Sequence, residues 1–138
     1  MSAINLAVER LQTDEGFRAV AYQDTTGHLT IGYGFNITSG ISEYAAQALL
    51  EAQAQELATS LQAYHWFVGL DDVRASVLIE LAFNLGLNGL LHFPRMLGAI
   101  GSGDWQTAHD QLLDSDAARQ LTSRYTILAN LLLTGVSP

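Results

Sequence analysis

The sequence predicts an α+β fold that is mostly helical, with one short β-sheet near the N-terminal end. Between Asp14 and Asn36, polar and glycine residues are concentrated around two short strand-like runs and an Asp-led turn. In most of the remaining chain, apolar residues recur at the spacing of an amphipathic α-helix. At 138 residues, the chain suits one domain over 1–138 with two lobes better than two independent domains.

The composition excludes several classes of protein. Hydrophobic residues make up 49% of the chain and charged residues 14%, which is typical of a globular protein and not of a disordered one. The absence of cysteine excludes disulfides and thiolate chemistry. The net charge of −8, with six Lys and Arg residues and no basic run, argues against nucleic acid as a partner.

The first predicted helix leads directly into the polar stretch. Ser2 is a candidate N-cap, and the helix should end at Glu15 with Gly16 just beyond it. This segment lacks the basic region, continuous apolar core and cleavage site of a secretory signal, so we expect synthesis in the cytoplasm without a signal peptide. The apolar stripe of this helix consists of Ile4, Val8 and Leu11.

A β-hairpin is predicted to follow this helix. A three-residue loop over residues 25–27, with positive φ at Gly27, would pair Asp24 with His28. Residues opposite each other share a face, and bare glycines on that face predict a groove floor that a ligand can approach closely. A two-residue loop would instead place Asp24 and Thr30 on opposite faces. The predicted polar face consists of Tyr22, Asp24, His28, Thr30, Gly32 and Gly34.

Glu15 and Asp24 are candidates for acid–base chemistry because the sequence places them in contrasting environments. Glu15 lies at the negative end of a helix dipole, whereas Asp24 lies at an exposed turn and is expected to ionise normally. Such a contrast is expected of a general acid and a general base. Asp-led turns and Glu residues near helix ends are also common structural features, so the pair alone leaves a purely structural role open.

The chain after the hairpin is predicted to be loop and helix. Residues 35–40 should form a loop, and Ser42 should cap a long helix. About twenty residues of helix span about 30 Å, enough to connect a β-containing lobe to a helical one. A core helix should run from Asp71 or Asp72 to about Gly86, and Glu80 within it favours a buried helix over a membrane span.

The C-terminal part predicts three more helices. Pro94 suits the first turn of a helix through Ile100, and Trp105 marks the next helix. The last helix should end at Gly135. The aromatic residues Tyr64, Trp66 and Phe67 suit packing better than a sugar platform.

The polar stretch resembles the active site of the phage-type lysozymes of glycoside hydrolase family 24. The matching residues are Glu15-Gly16-x-Arg18, Tyr22-x-Asp24, Gly27 and Thr30-Ile31-Gly32-Tyr33-Gly34, and later landmarks run from VLIELAFNLGLNGLLHF to Thr134-Gly135. The resemblance implies a phage-lysozyme-like fold with a small lobe at about 13–60, and a helical lobe at about 61–138 that also takes the N-terminal helix. It also implies that Glu15 is the general acid, that Asp24 activates or positions water, and that Thr30 helps to hold this water.

The same resemblance suggests residues that bind the substrate. Phe83 and Asn84 match a helix whose end faces the family's cleft, although core packing and a polar helix end explain them equally well. Arg124 matches an arginine beside the catalytic acid, whereas the sequence alone favours a solvated helix face. Phe35 and Ala117 depart from the pattern, because many relatives have His and Trp there. The candidate substrate-binding residues are Asn36, Phe83, Asn84, Met96, Gln111 and Arg124.

The function implied is that of an endo-acting muramidase, which cleaves the bond between N-acetylmuramic acid and N-acetylglucosamine in bacterial peptidoglycan. No cofactor is expected, and the four His residues show no paired metal-binding spacing. We expect a monomer without membrane insertion that acts on the cell wall after membrane permeabilisation, or is carried in the virion. A noncatalytic peptidoglycan-binding or virion structural module, and an enzyme for chitin-like oligosaccharides, remain alternatives.

Overall fold

The computed structural model of the chain describes residues 2–137. These residues contain seven helices and a three-stranded antiparallel sheet in the order β1-β2-β3, which confirms the predicted α+β, mostly helical class. The elements are α1 (Ala3–Glu15), β1 (Arg18–Gln23), β2 (Leu29–Gly32), β3 (Phe35–Asn36), α2 (Glu43–Leu61), α3 (Asp72–Leu91), α4 (Pro94–Ser102), α5 (Trp105–Leu113), α6 (Asp116–Gln120) and α7 (Thr122–Thr134).

The chain forms two compact units, divided within α2 between Ala48 and Leu49. The first unit contains α1, the sheet and the start of α2, and the second contains the rest of α2 and the helices α3 to α7. This division differs from the expected lobes, which placed the boundary near residue 60 and grouped α1 with the helical lobe.

The helix ends of the first unit follow the predicted capping chemistry. The backbone N–H of Asn5 donates to the Ser2 hydroxyl at 3.1 Å, and the N–H of Ala45 donates to the Ser42 hydroxyl at 3.1 Å. Gly16 ends α1 with φ 68°, a backbone conformation that favours glycine, and its N–H donates to the Gln12 carbonyl at 3.2 Å. The ends of α1 and the start of α2 are therefore confirmed.

The hairpin has the predicted three-residue loop. Tyr22 pairs with Thr30, and the N–H of Asp24 donates to the His28 carbonyl at 2.9 Å. Gly27 has φ 81°, as the loop requires. The pairing is irregular between Arg18 and Tyr22, where β1 departs from regular register.

The prediction of a loop from residue 35 to 40 is wrong at its start. Phe35 and Asn36 form β3, in which Asn36 pairs with Thr30 and Phe35 pairs with Ile31. A two-residue strand is too short to show an alternating pattern, so its pairing is set by the preceding turn at Tyr33 and Gly34.

The hydrophobic core of the second unit is built mainly from α3, α4, α5 and α7. Its fully buried side chains include Leu78, Leu81, Met96, Leu112, Tyr125 and Leu132. Trp66 and Phe67 are also buried, which confirms that they pack within the protein. By length and composition alone, α3 could cross a membrane, but five of its residues are buried in this core, as expected of a core helix.

The helix α3 breaks at Gly86, where φ is 76° and ψ is 158°. The predicted end near Gly86 is thus confirmed for the first segment, and a short second segment continues to Leu91. The helix α6 was not predicted; Ser115 caps it by accepting from the N–H of Ala118 at 3.1 Å. Ala117, on this helix, is partly buried against the core.

Candidate active site

The side chain of Asp24 is fixed by three hydrogen bonds to a single carboxylate oxygen. Its Oδ1 accepts from the N–H of Thr26 at 2.9 Å, the hydroxyl of Thr26 at 2.8 Å and the N–H of His28 at 2.9 Å. These donors, the His28 N–H foremost and the Thr26 hydroxyl next, hold the pKa of the Asp24 carboxyl below its ordinary value. The Asp24 carboxyl therefore loses its proton more readily than expected from the sequence, which predicted an ordinary pKa.

His28 lies beside this carboxylate. Its Nδ1 lies 2.8 Å from the Thr26 hydroxyl oxygen and 3.7 Å from Oδ2 of Asp24. The longer distance exceeds that of a hydrogen bond, so the closer partner of the ring is the hydroxyl. The segment from Asp24 to His28 forms a compact hydrogen-bonded turn around one carboxylate.

Thr30 is placed next to this turn but is nearly enclosed. Its side chain lies on the same face as Tyr22, its pairing partner, as the hairpin register requires. Thr30 is 3% exposed, and its hydroxyl donates to the His28 carbonyl at 3.0 Å. Because this bond uses its only proton, Thr30 can hold a water molecule only through the lone pairs of its oxygen.

Glu15, the last residue of α1, lies against the turn between β2 and β3. A Cβ atom added to Gly34 would be 2.5 Å from Oε2 of Glu15, and φ at Gly34 is 77°. The carboxyl of Glu15 therefore occupies space that glycine leaves open. Among the described residues 2–137, the Glu15 carboxyl makes no hydrogen bond or ion pair, which leaves both oxygens available.

The glycines expected to form a bare groove floor are in fact covered by side chains of the same unit. A Cβ atom at Gly32 would be 2.9 Å from the ring of Phe35, and the Glu15 carboxyl covers Gly34. Phe35 itself is 61% exposed. Atoms do approach the backbone closely at these glycines, but they belong to Phe35 and Glu15 and not to a ligand.

Asn36 is the remaining candidate in the first unit. It lies opposite Thr30 on β3, and its side-chain oxygen accepts from the N–H of Thr38 at 2.9 Å. Its amide N–H₂ group is left to donate to a ligand. Nearby in sequence, the guanidinium of Arg18 lies 4.4 Å from the centre of the Tyr22 ring, a cation–π contact that holds Arg18 on the sheet.

The second unit contains the other candidates, and it gives Arg124 a carboxylate partner. The Nε of Arg124 donates to Glu80 at 3.0 Å. These two side chains border a cavity of about 370 Å³ that also includes Phe83, whose ring is 47% exposed. Arg124 therefore lies in an ion pair rather than on a simply solvated face, and Phe83 is an exposed aromatic residue rather than part of the core.

Asn84 is held by the core of the second unit. Its side-chain oxygen accepts from the hydroxyl of Tyr125 at 2.6 Å, and burial raises the pKa of this phenol. The amide N–H₂ of Asn84 remains able to donate. This bond joins α3 to α7 and explains how a polar residue is accommodated at the end of the first α3 segment.

Met96 and Gln111 border a second cavity, of about 400 Å³. Met96 is fully buried in the core, so contact between its side chain and a ligand would require the surrounding side chains to move. Gln111 is half-buried and lies at the wall of this cavity with Arg95 and Arg119. Gln111 is therefore the better placed of the two to meet a ligand.

Sequence reasoning missed the partners of several candidate residues. Thr26 was placed in the loop and His28 on the polar face of the hairpin, but their hydrogen bonds to Asp24 were not predicted, although an Asp followed two residues later by a turn N–H is a known Asx-turn signal. The bonds from Arg124 to Glu80 and from Tyr125 to Asn84 join residues 44 and 41 positions apart, and no local pattern predicts them. Within residues 2–137, no group of three His, Cys, Asp or Glu side chains is placed to hold a metal ion.

Comparison with known proteins identifies the family. The sequence profile of the family described as phage lysozyme matches residues 12–124. The pre-baseplate central spike protein Gp5 of Enterobacteria phage T4 is 27% identical over 158 aligned residues, which cover 92% of this chain and 27% of that protein. A protein named probable T4-type lysozyme 1, from Dictyostelium discoideum, is 25% identical over 158 aligned residues, covering 92% of this chain and 93% of that protein. Since the profile covers most of the chain, including all four candidate residues of the first unit, this protein belongs to the phage lysozyme family.

Proposed function

We propose that this protein is a muramidase that hydrolyses the β-1,4 bond between N-acetylmuramic acid and N-acetylglucosamine in peptidoglycan. The observation that carries the proposal is the contrast between its two carboxyl groups in the first unit. Asp24 is held as a carboxylate by three donors, while Glu15 has no hydrogen-bonding partner among residues 2–137. A glycosidase needs one carboxyl group that gives a proton and one that serves water or the sugar cation.

In the proposed reaction, Glu15 gives its proton to the glycosidic oxygen as the bond to the anomeric carbon breaks. A water molecule attacks the anomeric carbon, and its proton passes to Asp24. Because the pKa of Asp24 is lowered, the carboxylate is a weak base and takes up this proton only as the bond from water to the anomeric carbon forms. Orienting water and stabilising positive charge on the sugar are therefore its main contributions.

The second unit supplies surfaces suited to a sugar chain. Phe83 presents an exposed ring, and Asn84 retains an amide N–H₂ group beside it in sequence. Gln111 presents an amide at a separate cavity. Aromatic faces and amides are the groups that bind sugar rings and their acetamido substituents.

The test is hydrolysis of purified peptidoglycan by Glu15→Gln, measured as release of reducing ends. Gln keeps the size of the side chain but cannot give a proton, so we expect a loss of about 100-fold or more. Asp24→Asn should be similarly severe. Asp14→Asn is a matched control, because it removes the neighbouring carboxylate and should leave the rate unchanged. Near-parental hydrolysis by Glu15→Gln would remove Glu15 from the role of acid.

A noncatalytic role in a virion is the second candidate, because one similar protein is a phage spike protein of which the chain matches 27%. This role predicts that the parent chain binds peptidoglycan without releasing reducing ends. The same assay, combined with a pull-down on insoluble cell walls, separates the two candidates.

The proposed site of action is the bacterial cell wall. We propose that the protein acts there as a monomer, either after another protein has permeabilised the inner membrane or as part of a virion. Turbidity loss of cells with a permeabilised outer membrane, compared with intact cells, tests this placement.

A further inference from the structure

Thr26 and His28 form hydrogen bonds to Asp24 and to each other, and the proposed function gives these bonds no role. We infer that they are positioning residues: His28 holds the Thr26 hydroxyl, the hydroxyl holds Oδ1 of Asp24, and Oδ2 is thereby left as the oxygen that meets water. The inference rests on the proposed function of Asp24. Thr26 and His28 then belong to the site, and Oδ2 is the oxygen of Asp24 that contacts water.

The direction of the hydrogen bonds follows from the charge on Asp24. The Thr26 hydroxyl has one proton and lies 2.8 Å from both Oδ1 of Asp24 and Nδ1 of His28. If the hydroxyl gave its proton to His28, its oxygen would face a carboxylate oxygen at 2.8 Å with no proton between them. The hydroxyl therefore donates to Asp24, and Nδ1 of His28 carries a proton and donates to the hydroxyl oxygen.

The two carboxylate oxygens of Asp24 are consequently unequal. Oδ1 receives three donors, from Thr26 and His28, which occupy its lone-pair directions and fix the rotation of the carboxylate plane. Oδ2 lies 3.7 Å from Nδ1 of His28, a distance too long for a hydrogen bond. Within residues 2–137, no donor is bound to Oδ2, so a water molecule can take that position.

The Thr26 hydroxyl is the part of this arrangement that can be removed without dismantling the turn. Two of the three donors to Oδ1 are backbone N–H groups, which remain when the Thr26 side chain changes. The adjacent Thr25 is an exposed residue of the same loop, and no side-chain hydrogen bond of Thr25 is present among the described residues. The loop therefore contains both the test residue and its matched control.

The experiment compares Thr26→Val, Thr26→Ser and Thr25→Val in steady-state hydrolysis. Val has nearly the size of Thr but lacks the hydroxyl, whereas Ser keeps it. Loss of one hydrogen bond to a charged group should lower kcat about tenfold in Thr26→Val. We expect KM to change little, because this hydroxyl is already bonded to Asp24 and His28. Thr26→Ser and Thr25→Val should stay near the parent. Equal losses in Thr26→Val and Thr26→Ser would overturn the inference.

A pair of substitutions tests the part played by His28. His28→Phe removes the donor to the hydroxyl, while His28→Asn places an amide N–H near the position of Nδ1. We expect His28→Phe to lower kcat and His28→Asn to restore most of it. Parental kcat in His28→Phe would exclude His28 from the arrangement.

A readout that needs no catalysis separates this inference from the proposed function. Carbon-detected NMR of the Asp24 carboxyl gives its pKa directly, and this pKa should rise in Thr26→Val but not in Thr26→Ser or Thr25→Val. An unchanged pKa in Thr26→Val would overturn the hydrogen-bond arrangement whether or not the protein is active. If Thr26→Val raises the pKa of Asp24 but the parent protein releases no reducing ends, the hydrogen-bond arrangement stands. The proposed function is then refuted, and with it the catalytic use of Oδ2.

Discussion

Replacing Arg74 tests how the second unit is held together. Its Nε donates to the carbonyl of Leu132 at 2.7 Å, and its NH2 group donates to the carbonyl of Leu133 at 2.9 Å, near the C-terminal end of α7. The guanidinium also lies 3.9 Å from the centre of the Trp105 ring and 3.2 Å from Asp71. One side chain on α3 thus joins α5 and α7, and Arg74→Met would remove all of these polar contacts while keeping an apolar stem.

The expected loss can be estimated from these contacts. A hydrogen bond from a charged donor contributes about 1.5–3 kcal/mol, and a cation–π contact about 0.5–2 kcal/mol. The pair with Asp71 adds less than about 1 kcal/mol, since that carboxylate is 42% exposed. Water can reach carbonyls at a helix end in the variant, so the terms do not add fully. We expect Arg74→Met to lower the free energy of unfolding by about 3 kcal/mol, or Tm by about 10 °C.

Urea unfolding followed by circular dichroism measures this change. Arg74→Lys keeps the charge but cannot bond both carbonyls, so it should fall between the parent and Arg74→Met. Arg95→Met is the matched control, because Arg95 is exposed and has no side-chain hydrogen bond among residues 2–137. It should change the free energy of unfolding by no more than about 0.5 kcal/mol. A loss in Arg74→Met equal to that of the control would refute the reasoning.

Glycine substitutions, pH and product stereochemistry test the first unit, and one glycine of α4 provides a control. Gly34→Ala should reduce both activity and stability, because φ at Gly34 is 77° and the new Cβ would lie 2.5 Å from Oε2 of Glu15. Gly98 lies within a helix and has open space around it, so Gly98→Ala should instead raise the free energy of unfolding by up to about 1 kcal/mol. Thermal melting of both variants measures these changes. The pKa of Asp24 is lower in the folded protein, so the carboxylate stabilises the fold above its unfolded-state pKa, and this contribution is lost as the pH falls through the folded-state pKa. Asp24→Asn should therefore be less stable than the parent at neutral pH, and this difference in stability should disappear in acid. If Asp24 serves water, the two carboxyl groups should stand about 6.5–9.5 Å apart, and NMR of fresh products should show the α-anomer; initial β-anomer would indicate a retaining mechanism.

The parts of the fold that could be predicted from sequence are those encoded by neighbouring residues. Gly27 and the Asp-led loop set the register of the hairpin, and Ser2 and Ser42 mark helix starts through their hydroxyl groups. Each of these signals acts over three or four residues. The same holds for Gly135, which ends α7 with φ 66°.

The parts that could not be predicted depend on residues far apart in the chain. The bond from Arg74 to Leu132 spans 58 positions, and the burial of Met96 follows from how α3, α4, α5 and α7 pack. The strand β3 and the helix α6 contain two and five residues, too few for a hydrophobic period to identify them. In the candidate site, the carboxyl groups were therefore recognisable from sequence, but the side chains that orient or cover them were not.

The turn from Asp24 to His28 is self-contained. Every hydrogen bond that orients the Asp24 carboxylate comes from within these five residues, and the longest of them is 2.9 Å. Because these bonds are local, we expect the segment to keep this geometry when it is moved into another hairpin with the same loop length. The two oxygens of Asp24 also have separate roles. Oδ1 accepts the bonds that hold the turn, while Oδ2 accepts no hydrogen bond within residues 2–137. In Asp24→Asn one side-chain oxygen can still accept these bonds, although without the charge that strengthens them, whereas Asp24→Ala leaves no acceptor for them.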